Sequence, residues 1–415
     1  MTSRQPSVEM LAKYAEVIVK IGLNLRAGQP LSIRTATHTH PLVREIARVA
    51  YQQGASLVDV IWSDEGVTRA RAEFAKRDTY NEYPDWQVDG LLKIIEKGGA
   101  MLSIATIDPD LLNGLDTDFV GKMQKAQLGR LAPFSSFIMR NAVNWCVVAA
   151  SGAAWARKVF PDLETDQAEE KLWEAIFETT RVTLPDPISA WETHNTSLRK
   201  RGAYLMAKKY TGLHYKGPGT DFTLGLPPGH KWVGGNGLAQ NGIVFTANMP
   251  TEEIFTMPDR NRAEGTVAAT FPLSYGGTLI EDFGVEFKDG RIVKVHAKKN
   301  EAILQQLVDT DEGSTRLGEA ALVPASSPIG RRGHLFYNTL FDENASCHIA
   351  IGRAYRFTLI GGEELTDEEF VAAGGNMSLN HVDFMIGSDK MDIDGIAADG
   401  TREPIMRGGE WAFDV

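Results

Sequence analysis

The sequence has almost no cysteine. Its 415 residues include two, Cys146 and Cys347, far apart and in no Cys-x-x-Cys pattern, which removes both a disulfide scaffold and a thiolate zinc site. Long apolar runs are also missing, since no segment approaches the roughly 18–20 uncharged residues that a membrane span needs. The stretch from Met1 to Gly22 is amphipathic, charged at Glu9, Lys13, Glu16 and Lys20, and lacks the apolar centre of a secretion signal. Basic charge is scarce: 43 Lys and Arg face 54 Asp and Glu, a net charge of −11, so phosphate-backbone binding is not expected to be its main business. No Gly-x-x-x-x-Gly-Lys-Ser/Thr loop, Gly-x-Ser-x-Gly elbow or His-Glu-x-x-His helix occurs. Gly234, Gly235 and Gly237 fail the Gly-x-Gly-x-x-Gly spacing. Asp392-Ile393-Asp394-Gly395 resembles part of a calcium loop, but Lys390 stands where its first acid belongs. These absences lead to the expectation of a cytoplasmic protein with no nucleic-acid and no membrane partner.

What is present reads as two kinds of texture. In the first half, an amphipathic helix over Val8 to Ile21 precedes a short strand at Leu31 to Arg34. Thr39 is a candidate N-cap, with Pro41 in the first turn of a helix that Gly54 ends. Ser56 to Trp62 is then a near-continuous apolar strand, completing a βαβ unit of the kind found in parallel sheets. Further buried strands are expected at Ala100 to Ile107 and Asn144 to Ala150, with helices over Glu169 to Arg181 and Ile188 to Lys209. After Tyr210 the chain turns to short runs broken by Gly, Pro, Asp and Asn, with a hairpin signal at Asp289-Gly290. Thr366 with Glu369 reads as a capping box. The expected class is α/β: a doubly wound α/β domain over residues 1–208, then a β-rich α+β domain over 209–415.

Few residues carry chemistry. His194, His214, His230, His296 and His334 lack a nearby carboxylate on a strand and read as surface or packing residues, as do His38 and His40 in a loop entering a helix. Two histidines stand apart. In Asn380-His381-Val382-Asp383-Phe384-Met385-Ile386, residues two apart on a strand share a face, so His381 and Asp383 point the same way among apolar neighbours. His348 begins a similar run, His348-Ile349-Ala350-Ile351-Gly352, after the polar loop Asp342 to Ser346. A His–Asp hydrogen bond that holds a strand end explains this pattern as well as a metal does. Two acidic stretches shift the balance. Pro250-Thr251-Glu252-Glu253-Ile254-Phe255 places adjacent acids on opposite faces, so one of the two points inward, and Gly318-Glu319-Ala320-Ala321-Leu322-Val323 puts one acid at the edge of an apolar run. Two Glu, one Asp and two His form an oxygen-and-nitrogen donor set suited to Zn²⁺, Co²⁺ or Mn²⁺. Five ligands exceed what one open zinc takes. Two metals sharing a carboxylate would use them all, and such a pair can generate hydroxide and polarise a carbonyl.

Four segments, in order, carry a family resemblance: Met249-Pro250-Thr251-Glu252-Glu253-Ile254-Phe255-Thr256, Leu317-Gly318-Glu319-Ala320-Ala321-Leu322-Val323, Asn344-Ala345-Ser346-Cys347-His348-Ile349-Ala350-Ile351-Gly352 and Asn380-His381-Val382-Asp383-Phe384-Met385-Ile386-Gly387. The chain resembles, end to end, the thermophilic or M29 family of metallo-aminopeptidases. That resemblance implies metal ligands at Glu253, Glu319, His348, His381 and Asp383, a co-catalytic pair of divalent ions in the second domain. It implies Zn²⁺ or Co²⁺, with Mn²⁺ and Mg²⁺ as further choices, and it selects Glu253 over Glu252 as the inward acid. Tyr355 matches the family's active-site tyrosine, a donor to the oxyanion of the tetrahedral intermediate; without the family it reads as a strand aromatic. Glu252 is then a candidate base beside the ligands. The resemblance also implies a homodimer acting on short peptide substrates. Competing expectations are a metal-binding protein without catalysis, a nucleotide-binding enzyme built on the first domain, and a structural interaction protein.

Overall fold

The parallel sheet expected from the βαβ pattern opens the chain. In a computed structural model that describes residues 6–106, 108–275 and 278–415, it has four strands, in the order Leu57–Ser63, Pro30–Ala36, Ala100–Ala105, Trp145–Ala149. Met1, where the amphipathic N-terminal reading begins, and Ile107, the expected end of the third strand, lie outside the described residues. Parallel neighbours need a crossover, and helix His40–Gln52 supplies it, burying Leu42, Val43, Ile46, Val49 and Ala50 at helical spacing. Pro41 sits in its first turn, but Thr39 does not cap it: the Thr39 hydroxyl donates to the Ala36 carbonyl at 2.8 Å. The first helix, Val8–Val17, runs on into a π turn at Ile18–Gly22. Tyr14, fully buried, ties it to the last strand by donating to the Ala149 carbonyl at 3.1 Å. The strand Leu57–Ser63 departs from the buried apolar run expected of it, since Leu57 is 51% and Trp62 42% exposed. Among the described residues it is the edge of its sheet, with a neighbour on one side only.

The chain divides into two compact units, Met1–Thr193 with Asn236–Pro250, and His194–Gly235 with Thr251–Val415; the division falls inside helix Pro187–Lys208. Among the described residues, no helix is long and apolar enough to cross a membrane.

The second unit is built from antiparallel strands. Its larger sheet has nine strands and includes the hairpin Thr278–Lys288 with Arg291–Lys299. Asp289 and Gly290 turn that hairpin with φ of 50° and 78°, the left-handed pair that a two-residue turn requires. The helix Asp367–Ala372 carries the full capping box expected at Thr366 and Glu369. A smaller sheet has five strands, in the order His381–Met385, His348–Gly352, Leu317–Leu322, Ile254–Thr256, Val233–Gly234, every pair antiparallel. Ile254, Leu322, Ile349, Ile351 and Phe384 alternate onto one face, where each is fully buried in the main core. At about 1.5–3 kcal/mol for each such side chain, that face fixes the register of the strands, because a slip of one residue would exchange the faces.

The other face carries small residues between its polar ones, Ala321, Ala350 and Gly352. Gly352 has φ of 108°, and a Cβ there would collide with the Asn380 carbonyl oxygen. Gly352→Ala is therefore expected to lower the unfolding free energy by about 2–4 kcal/mol. Urea titration of both proteins checks it, and an unshifted midpoint would show that the backbone gives way freely.

Candidate metal centre

Strand alternation places the ligand candidates. His381 and Asp383 lie two apart on one strand, and the register sets Asp383 opposite Ala350 and Gly352 opposite His381. His348, Ala350 and Gly352 share that face. On the next strand a register shift lies between Leu317 and Glu319, which lets Leu317 enter the core while Glu319 joins the polar face. Glu253 immediately precedes Ile254–Thr256, and because Ile254 is in the core, Glu253 turns to the same polar face. Five donors from four strands thus meet on one side of a sheet whose other side is the core.

The distances describe a cluster aimed at shared points. Glu253 Oε2 lies 3.2 Å and Glu319 Oε1 3.5 Å from His348 Nε2. Glu319 Oε2 lies 3.8 Å and Asp383 Oδ1 3.5 Å from His381 Nε2. The donor atoms of Glu253, Glu319 and His348 all lie within 4.8 Å of one another, as do those of Glu319, His381 and Asp383. Despite this proximity, Glu253 Oε2, His348 Nε2 and Asp383 Oδ1 are buried with no aligned hydrogen-bond partner. Atoms that close yet misaligned with each other suit cations placed between them, so the residues fit a divalent metal.

Both imidazoles are held from behind. His348 Nδ1 faces the Ser346 carbonyl at 3.2 Å and His381 Nδ1 the Arg353 carbonyl at 2.7 Å. A carbonyl only accepts, so Nδ1 carries the proton in each ring and Nε2 is turned to the acids. The electrostatics point the same way. Burial opposes charge on His348, but Glu253 and Glu319 beside it push its pKa well up, and Asp383 outweighs burial to push His381 up to about 10. Burial raises Glu319 to about 7 against the lowering effect of His348. For Asp383, His381 overcomes burial and holds the carboxyl below its usual range. The site draws positive charge.

The sequence reading missed one acid. Glu343, on the short turn Glu343–Ala345, has its pKa pushed well above the carboxylate range by burial first and then by Glu253 and Asp383. It lines a cleft of about 70 Å³ with Leu273, Tyr337, Asn338, Asp383 and Met385. Its signal was an acid five residues before His348 in a loop read only as polar. Glu252, the base expected from sequence, is buried with its carboxylate 3.6 Å from His194 Nε2, and His194 Nε2 lies 2.8 Å from the Thr251 carbonyl. The Glu252 N–H donates to Asn344 Oδ1 at 2.7 Å. His194, expected as a surface or packing residue, thus adjoins the ligand segment. Tyr355 packs its ring on His381 at 4.7 Å and stacks on Phe357 at 5.2 Å. Burial first, and then the charges of Glu319 and Asp383, raise its phenol pKa well above the ordinary value, so it keeps its proton as a donor. In the first unit, His38 pairs with the Thr106 hydroxyl at 2.7 Å.

The loop before His381 hangs on Asp311. Its carboxylate accepts from the Leu379 N–H at 2.6 Å, the Ser378 hydroxyl at 2.8 Å and the Ser314 N–H at 2.7 Å.

Comparison with known proteins agrees along the whole chain. Residues 7–411 match the family described as Thermophilic metalloprotease (M29). The chain is 46% identical over 405 residues to Aminopeptidase AmpS of Bacillus subtilis, covering 98% of this chain and 99% of that protein. It is 45% identical over 401 residues to Aminopeptidase T of Thermus thermophilus, covering 97% and 98%. A solved structure described as wild-type AmpT from Thermus thermophilus aligns with a TM-score of 0.93 at 44% identity, covering 97% of this chain and 99% of that one.

Burial raises the pKa of Asp311, but its hydrogen bonds with Leu379, Ser378 and Ser314 win, and the folded value lies below the ordinary one. Its stabilisation is therefore full above the unfolded value of about 3.9 and is lost as pH falls through the lower folded value. Asp311→Ala is expected to cost about 1–3 kcal/mol at pH 7, with the gap to wild type closing below about pH 4. Denaturant melts at both pH values check this; a gap independent of pH would show that the charge plays no part.

Proposed function

The chain belongs to the M29 family and is a metallo-aminopeptidase, and we propose that it works with two divalent ions held at overlapping triads, Glu253, Glu319 and His348 for one, Glu319, His381 and Asp383 for the other. The observation that carries this reading is Glu319, which belongs to both groups of donors and turns one carboxylate oxygen toward each histidine. Placed so, Glu319 would help to hold both ions at once. The nitrogen-and-oxygen donor set suits Zn²⁺ or Co²⁺, with Mn²⁺ and Mg²⁺ as alternatives. When bound, such a pair supplies an activated water and a Lewis acid for the scissile carbonyl.

The chain's own groups do the rest. Glu343, by its place on the cleft beside Asp383, takes a proton from the attacking water at its carboxylate and returns it to the leaving amine. Tyr355 donates its phenolic hydrogen to the oxygen on which charge develops. Glu252, occupied with His194, holds the backbone from which Glu253 projects.

The same reading makes the protein a homodimer that takes short peptides. In its support, the strand Leu57–Ser63 has a strand neighbour on one side among the described residues, and a second copy would pair with its other edge. A cytoplasmic setting suits the two buried, unpaired cysteines.

Hydrolysis of leucyl-p-nitroanilide is expected to vanish on dialysis against a chelator and to return with Co²⁺ or Zn²⁺. His348→Ala and Asp383→Ala should each lose one ion per chain and at least about 100-fold in turnover. Glu343→Gln should keep both ions and lose about 10²–10⁴-fold in kcat. Metal analysis by mass spectrometry separates these cases; full turnover in either ligand variant, or one ion per chain in the wild type, would refute the paired centre. Sedimentation equilibrium is expected to give twice the 45.6 kDa chain mass, and a monomer at micromolar concentration would remove the dimer.

A further inference from the structure

Tyr337 has a left-handed backbone, with φ of 55°, a conformation that a bulky side chain rarely adopts and that Gly or Asn would take without strain. The strain is held in place from both sides. The Phe336 N–H donates to Asp342 Oδ1 at 2.7 Å and the Asn338 N–H donates to Asp342 Oδ2 at 3.0 Å, so one buried carboxylate grips the residues before and after Tyr337. Phe336 is fully buried and stacks on Phe341 at 4.9 Å, which anchors one end of the turn. The Asn338 side chain accepts from the Leu340 N–H at 3.2 Å, which anchors the other. Between these anchors, Tyr337 and Asn338 line the cleft that also exposes Glu343 and Asp383.

A turn needed only to connect elements would use glycine here. Retaining tyrosine in a strained geometry, braced by a buried acid, at the wall of the reaction cleft points from the backbone outlier to a role in binding. We propose that the turn from Phe336 to Thr339 is the wall that receives the side chain of the substrate's first residue, and that Asp342 is the positioning residue that shapes it. The lining mixes polar groups with Pro272, Leu273, Tyr337 and Met385, and those four form the part that takes an apolar side chain. Asp342 is then distinct in role from its neighbour Glu343: its oxygens are occupied by backbone amides, and it acts through Tyr337. The inference rests on the metal centre above as the place of reaction.

The test compares leucyl- and glycyl-p-nitroanilide, since glycine brings no side chain to the wall. Tyr337→Gly and Tyr337→Asn both accept the left-handed backbone and remove the ring. Each is expected to raise KM for the leucyl substrate about tenfold, to leave kcat within about threefold and to leave KM for the glycyl substrate unchanged. Asp342→Asn turns an amide NH₂ toward one of two N–H donors and should shift the same leucyl KM with metal content intact. An unchanged leucyl KM in the tyrosine variants, or an equal shift for both substrates, overturns the proposal. A wild-type enzyme indifferent to chelation would instead overturn the metal centre, a result read separately from the ratio between substrates.

Discussion

Burying several carboxylates on one face of a sheet is the constraint around which the second unit is arranged. Glu253, Glu319 and Asp383 lie on a surface whose reverse side is the main core. An ionised carboxylate removed from water is costly unless positive charge meets it. Two histidines supply part of that charge, which is why their pKa values rise in spite of burial. Glu253 Oε2, His348 Nε2 and Asp383 Oδ1 remain without a hydrogen-bond partner, so the compensation within the protein is incomplete. Apolar alternation on the reverse face and polar convergence on the front are thus one device. The core residues pin the register, and the register brings the donors together.

Convergence also needs space and rigid backing. Ala321, Ala350 and Gly352 stand between the acids and histidines on the same face, where larger side chains would fill the space in front of the cluster. Behind the ligands, the carbonyls of Ser346 and Arg353 fix the two rings. Asn344, fully buried, joins the Glu252 backbone to the turn that carries Glu343, since its Nδ2 also donates to the Leu340 carbonyl at 3.1 Å. These supports are polar groups with their own partners, the condition for holding a site to within a few tenths of an ångström.

Local chemistry is legible in the sequence wherever it acts over a few residues. Period-two spacing places His381 with Asp383, the Asp289-Gly290 hairpin and the Thr366 capping box appear as expected, and the βαβ pattern yields the parallel sheet. Features set by distant neighbours are not legible. Nothing local to Leu57–Ser63 says that it is an edge strand, so its apolar run reads as buried. Nothing local to Thr39 says that its hydroxyl turns back to Ala36 and leaves the helix uncapped. The register shift before Glu319, which decides that its carboxylate faces the histidines, exists only in the pairing with the His348 strand. Family motifs supply the choice of Glu253 that spacing leaves open. Glu343 escapes because its neighbours in space, Glu253 and Asp383, are far from it in sequence.

The two adjacent acid pairs, Glu252-Glu253 and Asp342-Glu343, obey the same rule. Turning all four inward, beside Glu319 and Asp383, would crowd six carboxylates around two imidazoles at one buried point. Consecutive residues on an extended segment point to opposite sides, so Glu253 enters the centre while Glu252 meets His194. On the short turn, Asp342 gives its oxygens to the Phe336 and Asn338 amides while Glu343 faces the cleft. In each pair one carboxylate faces the cluster or its cleft, and its neighbour is engaged with a group on the other side. The negative charge needed to attract cations is thereby concentrated at the centre without overloading it, and the segments that deliver it are anchored by acids of their own.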